Sequence, residues 1–297
     1  MAGPGHDHRV AGDRRLLAAA LALILLLMAA ELVAGILAGS LALLADAGHM
    51  VSDAGALAFA LVAAAMGSRP AGGRWTYGFR RLEILAAQAN GITLALVGAW
   101  IVYAAVRRLV SPVEVEGVVV VAVAGAGIAV NLVATGLLAR ASRESLNVRG
   151  AFLHVATDLA AFVGTAAAGA LVLLTGWDRF DPLASLLVAG LCFWAAYHLI
   201  GESTRIFLEV SPREIDPAEV GRAIAAEPGV VEAHDLHVWT LTSGFPVLSA
   251  HVLVEPGADC HALRRRLEAM LRERYDLEHT TLQVDHAQGA LAIARRR

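Results

Sequence analysis

The sequence predicts a polytopic α-helical membrane protein: six transmembrane helices followed by a cytoplasmic ferredoxin-like α+β domain of αββαβ order. Three observations lead there. Of the 297 residues, 57% are hydrophobic, and the mean hydropathy of +0.61 exceeds that of an ordinary soluble domain. Six apolar runs are each long enough to cross a hydrocarbon core, which takes roughly 20 residues. From about Ser211 the composition turns polar and strand-like alternation replaces the long apolar runs.

The chain begins with a polar tail, residues 1–15, in which "HDH" at 6–8 offers at most weak metal capture on a flexible segment. No small-residue cleavage site precedes the first apolar run, so that run is expected as a retained helix. The spans are expected near 16–39, 42–67, 81–108, 115–139, 150–176 and 182–207. Between them stand breaks with turn chemistry: "GSRPAGGR" from Gly67, "SPVEVEG" from Ser111, "RASRESLNVRG" from Arg140 and "TGWDRFDP" from Thr175. Asp181-Pro182 has the pattern of an N-cap followed by proline at the first helical position. The division is thus a tail at 1–15, a transmembrane domain at 16–210 and a soluble domain at 211–297.

The chain contains no lysine, so arginine alone reports orientation. Arg9, Arg14 and Arg15 precede span 1; Arg69, Arg74, Arg80 and Arg81 lie between spans 2 and 3; Arg140, Arg143 and Arg149 lie between spans 4 and 5. The other side has only Arg107, Arg108 and Arg179. The positive-inside rule therefore places both termini in the cytoplasm.

In the tail, "DPAEVGRAIAAEPG" reads as a helix, "VVEAHDLHVWTL" and "FPVLSAHVLVEPG" as strands, "DCHALRRRLEAMLRERYD" as a helix and "EHTTLQVDH" as a last strand. Leu248, Ala250, Val252 and Val254 alternate with Ser249 and His251, which assigns them to a core face. A domain of about 85 residues is near the lower limit of independent stability and gains from dimerisation or bound metal. The net charge of -3 gives no reason to expect a nucleic-acid partner. Cys192 and Cys260, one in a membrane span and one in the tail, do not suggest a disulfide framework.

The chemistry is concentrated in "LADAGHMVSDAG", residues 44–55 of span 2. A charged group at mid-bilayer costs several kcal/mol, so it must face protein or water and have a partner. His49 and Asp53 are four apart and share a helical face. The spacing recurs in span 5, where "AFLHVATDLAAF" carries His154 and Asp158. Two imidazoles and two carboxylates make a complete tetrahedral set suited to Zn²⁺, and the carboxylates match its double charge. One intramembrane His–Asp pair is as readily a buried hydrogen-bonded pair; the duplication favours metal. Asp46 is three residues before His49, and its counterpart in span 5 is Ala151, so Asp46 is assigned beside the site or at a helix end, not among the ligands. Glu31 and Asn131, the other buried polar groups, are read as interhelical hydrogen-bonding groups that support or gate the site.

At this point the sequence resembles the cation diffusion facilitator family, in its bacterial zinc/cadmium/cobalt efflux branch. The segments that carry the resemblance are "ELVAGILAGSLALLADAGHMVSDAGAL", "YGFRRLEILAAQANG", "SLNVRGAFLHVATDLAAF", "DPLASLLVAG" and "AHDLHVWTLTSGFPVLSAHVLV". The resemblance implies a multi-pass homodimer in the cytoplasmic (inner) membrane, a metallochaperone-like cytoplasmic domain and proton-coupled metal export. It carries the transport site onto His49, Asp53, His154 and Asp158, and a cytoplasmic zinc site shared between subunits onto His234, His251, His261 and Asp285. A family histidine is here Gln283, so that site is expected to be weaker or differently composed, with His237, Cys260, His279 and His286 as further donors. The loop "GGRWTYGFRR" has neither His nor Asp, so the metal site that some members hold there is not expected. Arg81 and Glu209 match the basic and acidic positions that interlock the family's dimer.

The expected activity is metal/proton antiport, not enzyme catalysis, with Zn²⁺ as substrate and as a structural or regulatory ion in the tail. Protonation of an imidazole removes its lone pair from the metal and releases the ion. An intramembrane zinc hydrolase needs an open coordination position and a general base, and four protein ligands leave none. A membrane-tethered metal sensor is the other alternative.

Overall fold

The computed structural model describes residues 25–67, 71–138 and 146–287; within its helices the side chains of Asp53 and His154 are among those outside the described ones. The residues 6–8 and most of the arginines expected at the cytoplasmic side of spans 1 and 5 also lie outside them. The helices are α1 (Leu25–Leu37), α2 (Leu41–Gly67), α3 (Leu82–Val110), α4 (Gly117–Leu138), α5 (Leu146–Thr175) and α6 (Phe180–Phe207). Then come α7 (Pro217–Ala225), β1 (Val230–Thr242), β2 (Phe245–Val254), α8 (Cys260–Tyr275) and β3 (His279–His286).

Among the described residues, Leu82–Val110, Asp158–Thr175 and Phe180–Phe207 are long and apolar enough to cross a membrane. The shorter apolar segments Leu25–Leu37, Leu41–Ser52 and Gly117–Val133 fall on the remaining expected spans. The chain forms two compact units, one from residues up to Phe59 with Ala89–Ile200, the other from Ala60–Gln88 with Gly201 onward.

The first unit is apolar on the outside. Leu37, Leu96, Tyr103, Leu174, Trp194 and Tyr197 are all exposed, as on a bundle whose surrounding solvent is hydrocarbon. Without a hydrophobic drive between helices, close backbone packing must hold such a bundle. Gly127 on α4 shows how: a Cβ there would stand 2.3 Å from the Phe162 ring of α5, so only glycine lets that ring seat against the α4 backbone. Phe162 is fully buried there with Leu27 and Ala124.

The start of α2 is held from a distance. Gly39 turns the chain with φ +65, a left-handed conformation that glycine adopts without strain. Ser40 then caps α2, its Oγ accepting from the Leu43 amide at 3.2 Å. The Asp181 carboxylate accepts from the Ser40 hydroxyl (2.5 Å) and from the amides of Leu41 (2.7 Å) and Ala42 (3.3 Å). Three of the four orphan amides of α2 are thereby satisfied. Arg108 completes the clamp, donating to the Gly39 carbonyl and lying 3.6 Å from Asp181. The expected N-cap role is corrected here: Asp181 lies inside α6, which starts at Phe180, and its side chain serves the start of α2.

In the second unit β2 is central, antiparallel to β1 and parallel to β3. Leu248, Ala250, Val252 and Val254 of β2 are buried with Leu263, Leu267 and Leu271, spaced by four on α8, and with Val220 and Ile224 of α7. Asp216 caps α7 and Asp259 caps α8. Hydrogen bonds from the Ala262 and His261 amides hold the Asp259 carboxyl below the usual carboxylate range. The segment before α3 belongs to the same unit. Thr242 donates to the Arg80 carbonyl and Glu83, Arg80 stacks over Phe245 at 4.7 Å, and the Tyr77 and His279 rings meet edge to face at 6.3 Å.

Candidate metal-transport site

α2 runs unbroken through its polar stretch from Leu41 to Gly67, so Asp46, His49 and Asp53 follow helical spacing. Past the first turn the helix supplies its own backbone hydrogen bonds, which leaves the side chains of the polar stretch to be satisfied in an apolar bundle. His49 is 9% exposed, and its Nε2 lies 3.6 Å from Oδ1 of Asp158 on α5. The structure thus brings together one residue from each His-x-x-x-Asp pair. His154 lies one turn before Asp158 on α5, as Asp53 lies one turn after His49 on α2.

Two further acids surround this pair. Glu31 on α1 is 0% exposed and Asp46 is 2% exposed. Glu31 is within electrostatic reach of Asp46 and Asp158, and Asp46 of Asp158 and His49. Among the described residues, neither Glu31 carboxylate oxygen nor Oδ2 of Asp46 has a hydrogen-bond partner. The expectation that Glu31 bridges helices by a hydrogen bond therefore finds no partner among those residues. Asn131 on α4 is buried and donates to the Gly127 carbonyl one turn earlier, at 3.2 Å. Ser52 ties α2 to α3 through Asn90 at 3.0 Å.

In the tail, His234 and His251 are cross-strand partners, with their rings edge to face at 5.6 Å. Gln283 sits beside His251 in register and donates to Asp285 at 2.8 Å. Sequence reasoning missed Asp235, which interrupts β1 with φ 51 at a register shift between His234 and His237. Its carboxylate lies 3.0 Å from His237 and 3.9 Å from His251. A bulge of this kind re-aims side chains and has no local signature in "EAHDLHV". Among the described residues, no group of three or more His, Cys, Asp or Glu side chains is placed to hold an ion. Arg81 and Glu209 do meet, at 3.0 Å, on a half-exposed surface.

Comparison with known proteins gives the same direction. Residues 17–208 match the cation efflux transmembrane domain, and residues 212–287 match the cytoplasmic domain of cation efflux proteins. The cation efflux system protein CzcD of Alcaligenes sp. is 39% identical over 96% of this chain and 90% of its own. The zinc transporter ZitB of Escherichia coli is 41% identical over 87% of this chain and 83% of its own. The cadmium, cobalt and zinc/H(+)-K(+) antiporter of Bacillus subtilis is 35% identical over 95% of this chain and 92% of its own. Among solved structures, the metal-bound C-terminal domain of CzcD from Cupriavidus metallidurans is 39% identical, covering 24% of this chain and 97% of that one, with a TM-score of 0.23. The chain belongs to the cation efflux, or cation diffusion facilitator, family of membrane transporters.

Proposed function

We propose that this chain is a proton-coupled antiporter that exports divalent metal, Zn²⁺ foremost and Cd²⁺ or Co²⁺ after it, through a tetrahedral site of His49, Asp53, His154 and Asp158. The observation that carries the reading is the approach of His49 on α2 to Asp158 on α5 inside an apolar bundle. Relatives named as zinc transporters and as a cadmium, cobalt and zinc antiporter support the substrate class. Two carboxylates neutralise the ion, and the imidazoles supply nitrogen donors that suit Zn²⁺. When the site faces outward, protons take the imidazole lone pairs, the ion leaves and the protons return inward. Asp46, Glu31 and Asn131 support or gate the site from beside it.

The proposal includes six spans, cytoplasmic termini, a homodimer in the inner membrane and a tail of ferredoxin-like design from residue 211. Zinc in the tail would draw on His234 and His251 of one protomer. His261 and Asp285 complete the set between protomers, because one protomer's described side chains do not converge. Arg81 and Glu209 brace the junction between α3 and the end of α6. Zinc uptake into sealed proteoliposomes, driven by an imposed pH gradient, tests the reading. An intramembrane hydrolase or a tethered sensor gives no gradient-driven flux.

A further inference from the structure

The tail carries one soft donor that neither the transport site nor the His234–His251 pair uses. Cys260 is the first residue of α8, and His286 is the last of β3. The Cys260 Sγ lies 3.4 Å from His286 Nε2 and 3.7 Å from Nδ1. His286 Nε2 lies 3.0 Å from the Ala258 carbonyl oxygen, and the sulfur lies 3.9 Å from that oxygen. Sulfur, nitrogen and oxygen thus form a triangle with edges of 3.4, 3.0 and 3.9 Å. Around a tetrahedral ion with metal–sulfur bonds of about 2.3 Å and metal–nitrogen bonds of about 2.0 Å, neighbouring donors stand roughly 3.4–3.6 Å apart. The sulfur–nitrogen edge matches an edge of such a tetrahedron, while the nitrogen–oxygen edge is shorter and the sulfur–oxygen edge longer, so a bound ion requires the Ala258 carbonyl to shift slightly toward the sulfur.

Each corner is fixed by a different element. Ala258 closes a turn, its amide donating a hydrogen bond to the Glu255 carbonyl at 3.1 Å. Cys260 is set by the cap of α8, where Asp259 is committed to the His261 and Ala262 amides. His286 is set by its pairing with Val254 and by the Ala287 amide, which donates to the Val254 carbonyl at 2.8 Å. Cys260 is half-buried and His286 exposed, which leaves the fourth coordination position open to water or to another donor.

We propose that Cys260 Sγ, a His286 ring nitrogen and the Ala258 carbonyl form a separate site for a soft divalent ion, Cd²⁺ in preference to Zn²⁺. Thiolate and imidazole are soft and borderline donors, whereas His49, Asp53, His154 and Asp158 offer only nitrogen and oxygen. On binding, the thiol releases its proton to solvent. The imidazole moves its N–H from Nε2, where it points at the Ala258 carbonyl, to Nδ1, and Nε2 then donates its lone pair to the ion. The site stands independently of whether the chain transports metal.

Cadmium titration of the metal-free full chain in detergent, followed through the ultraviolet thiolate-to-cadmium charge-transfer band, tests this. The chain has only Cys192 and Cys260 as thiols, and Cys192 is fully buried in the membrane unit. The expected result is a band that saturates at one ion per chain, persists in Cys192→Ser, is lost in Cys260→Ser and needs at least about tenfold more cadmium in His286→Ala. Cadmium held by the transport site gives no such band. A wild-type chain without the band, a band that survives Cys260→Ser, or a His286→Ala titration identical to wild type each overturns the proposal.

Discussion

Asp181 and Ser40 are 141 positions apart, and their side chains meet at 2.5 Å in the interior of the bundle. That contact makes α6 the keeper of the first turn of α2, the helix that carries Asp46, His49 and Asp53. Asp181→Ala leaves the Leu41 and Ala42 amides and Arg108 without their carboxylate. Breaking a buried charged pair in this way costs roughly 3 kcal/mol. Thermal unfolding in detergent should show the loss, with Asp181→Asn intermediate; an unchanged midpoint in Asp181→Ala would mean that the clamp carries no load.

Gly127→Ala drives a methyl group into the Phe162 ring, and overpacking of this kind costs about 2 kcal/mol. Pairing it with Phe162→Leu should recover most of the loss. If the double variant is no more stable than Gly127→Ala alone, α4 and α5 do not pack through this contact.

Glu209 combines an ion pair with a left-handed backbone, φ 56, at the end of α6. A non-glycine residue there bears about 1 kcal/mol of strain, while a half-exposed ion pair contributes less than about 1 kcal/mol. Glu209→Gly should therefore leave stability nearly unchanged yet lower flux, if the pair couples α3 to α6. Reversing both charges, Arg81→Glu with Glu209→Arg, should restore part of the flux that either reversal alone removes. A double variant no better than the worse single one argues against coupling.

The tail was legible because its signals are local. Leu263, Leu267 and Leu271 share one face of α8, and Asp259 and Asp276 flank it as caps. The alternation in "VLSAHVLV" likewise identifies the buried face of β2. The helix bundle was legible in its centres and less so at its ends. α5 starts at Leu146, four residues before the apolar run, because polar "LNVR" is compatible with a helix although unsuited to lipid. Asp181 was misread because "DP" is a local capping pattern, whereas its partners are 140 residues away in sequence. The bulge at Asp235 and the meeting of Cys260 with His286 are tertiary for the same reason. At the proposed transport site, repeated spacing selects the four residues, but only the tertiary fold sets His49 near Asp158.

His49→Asp changes the proposed site to three carboxylates and one imidazole, with an uncompensated negative charge when loaded. Larger or more oxygen-seeking ions gain from that change. The ratio of cadmium to zinc flux should rise severalfold, and the pH profile should move because one proton-accepting imidazole is gone. Unchanged metal ratios and an unchanged profile would remove His49 from the ligand set.

The most direct measurement is gradient-driven zinc flux in proteoliposomes containing Asp53→Ala or Asp158→Ala, each checked to be folded and dimeric. With one carboxylate gone, the ion's charge is not neutralised in a low-dielectric interior, and flux should fall to the level of protein-free liposomes. Wild-type flux in either variant would contradict the account of the site.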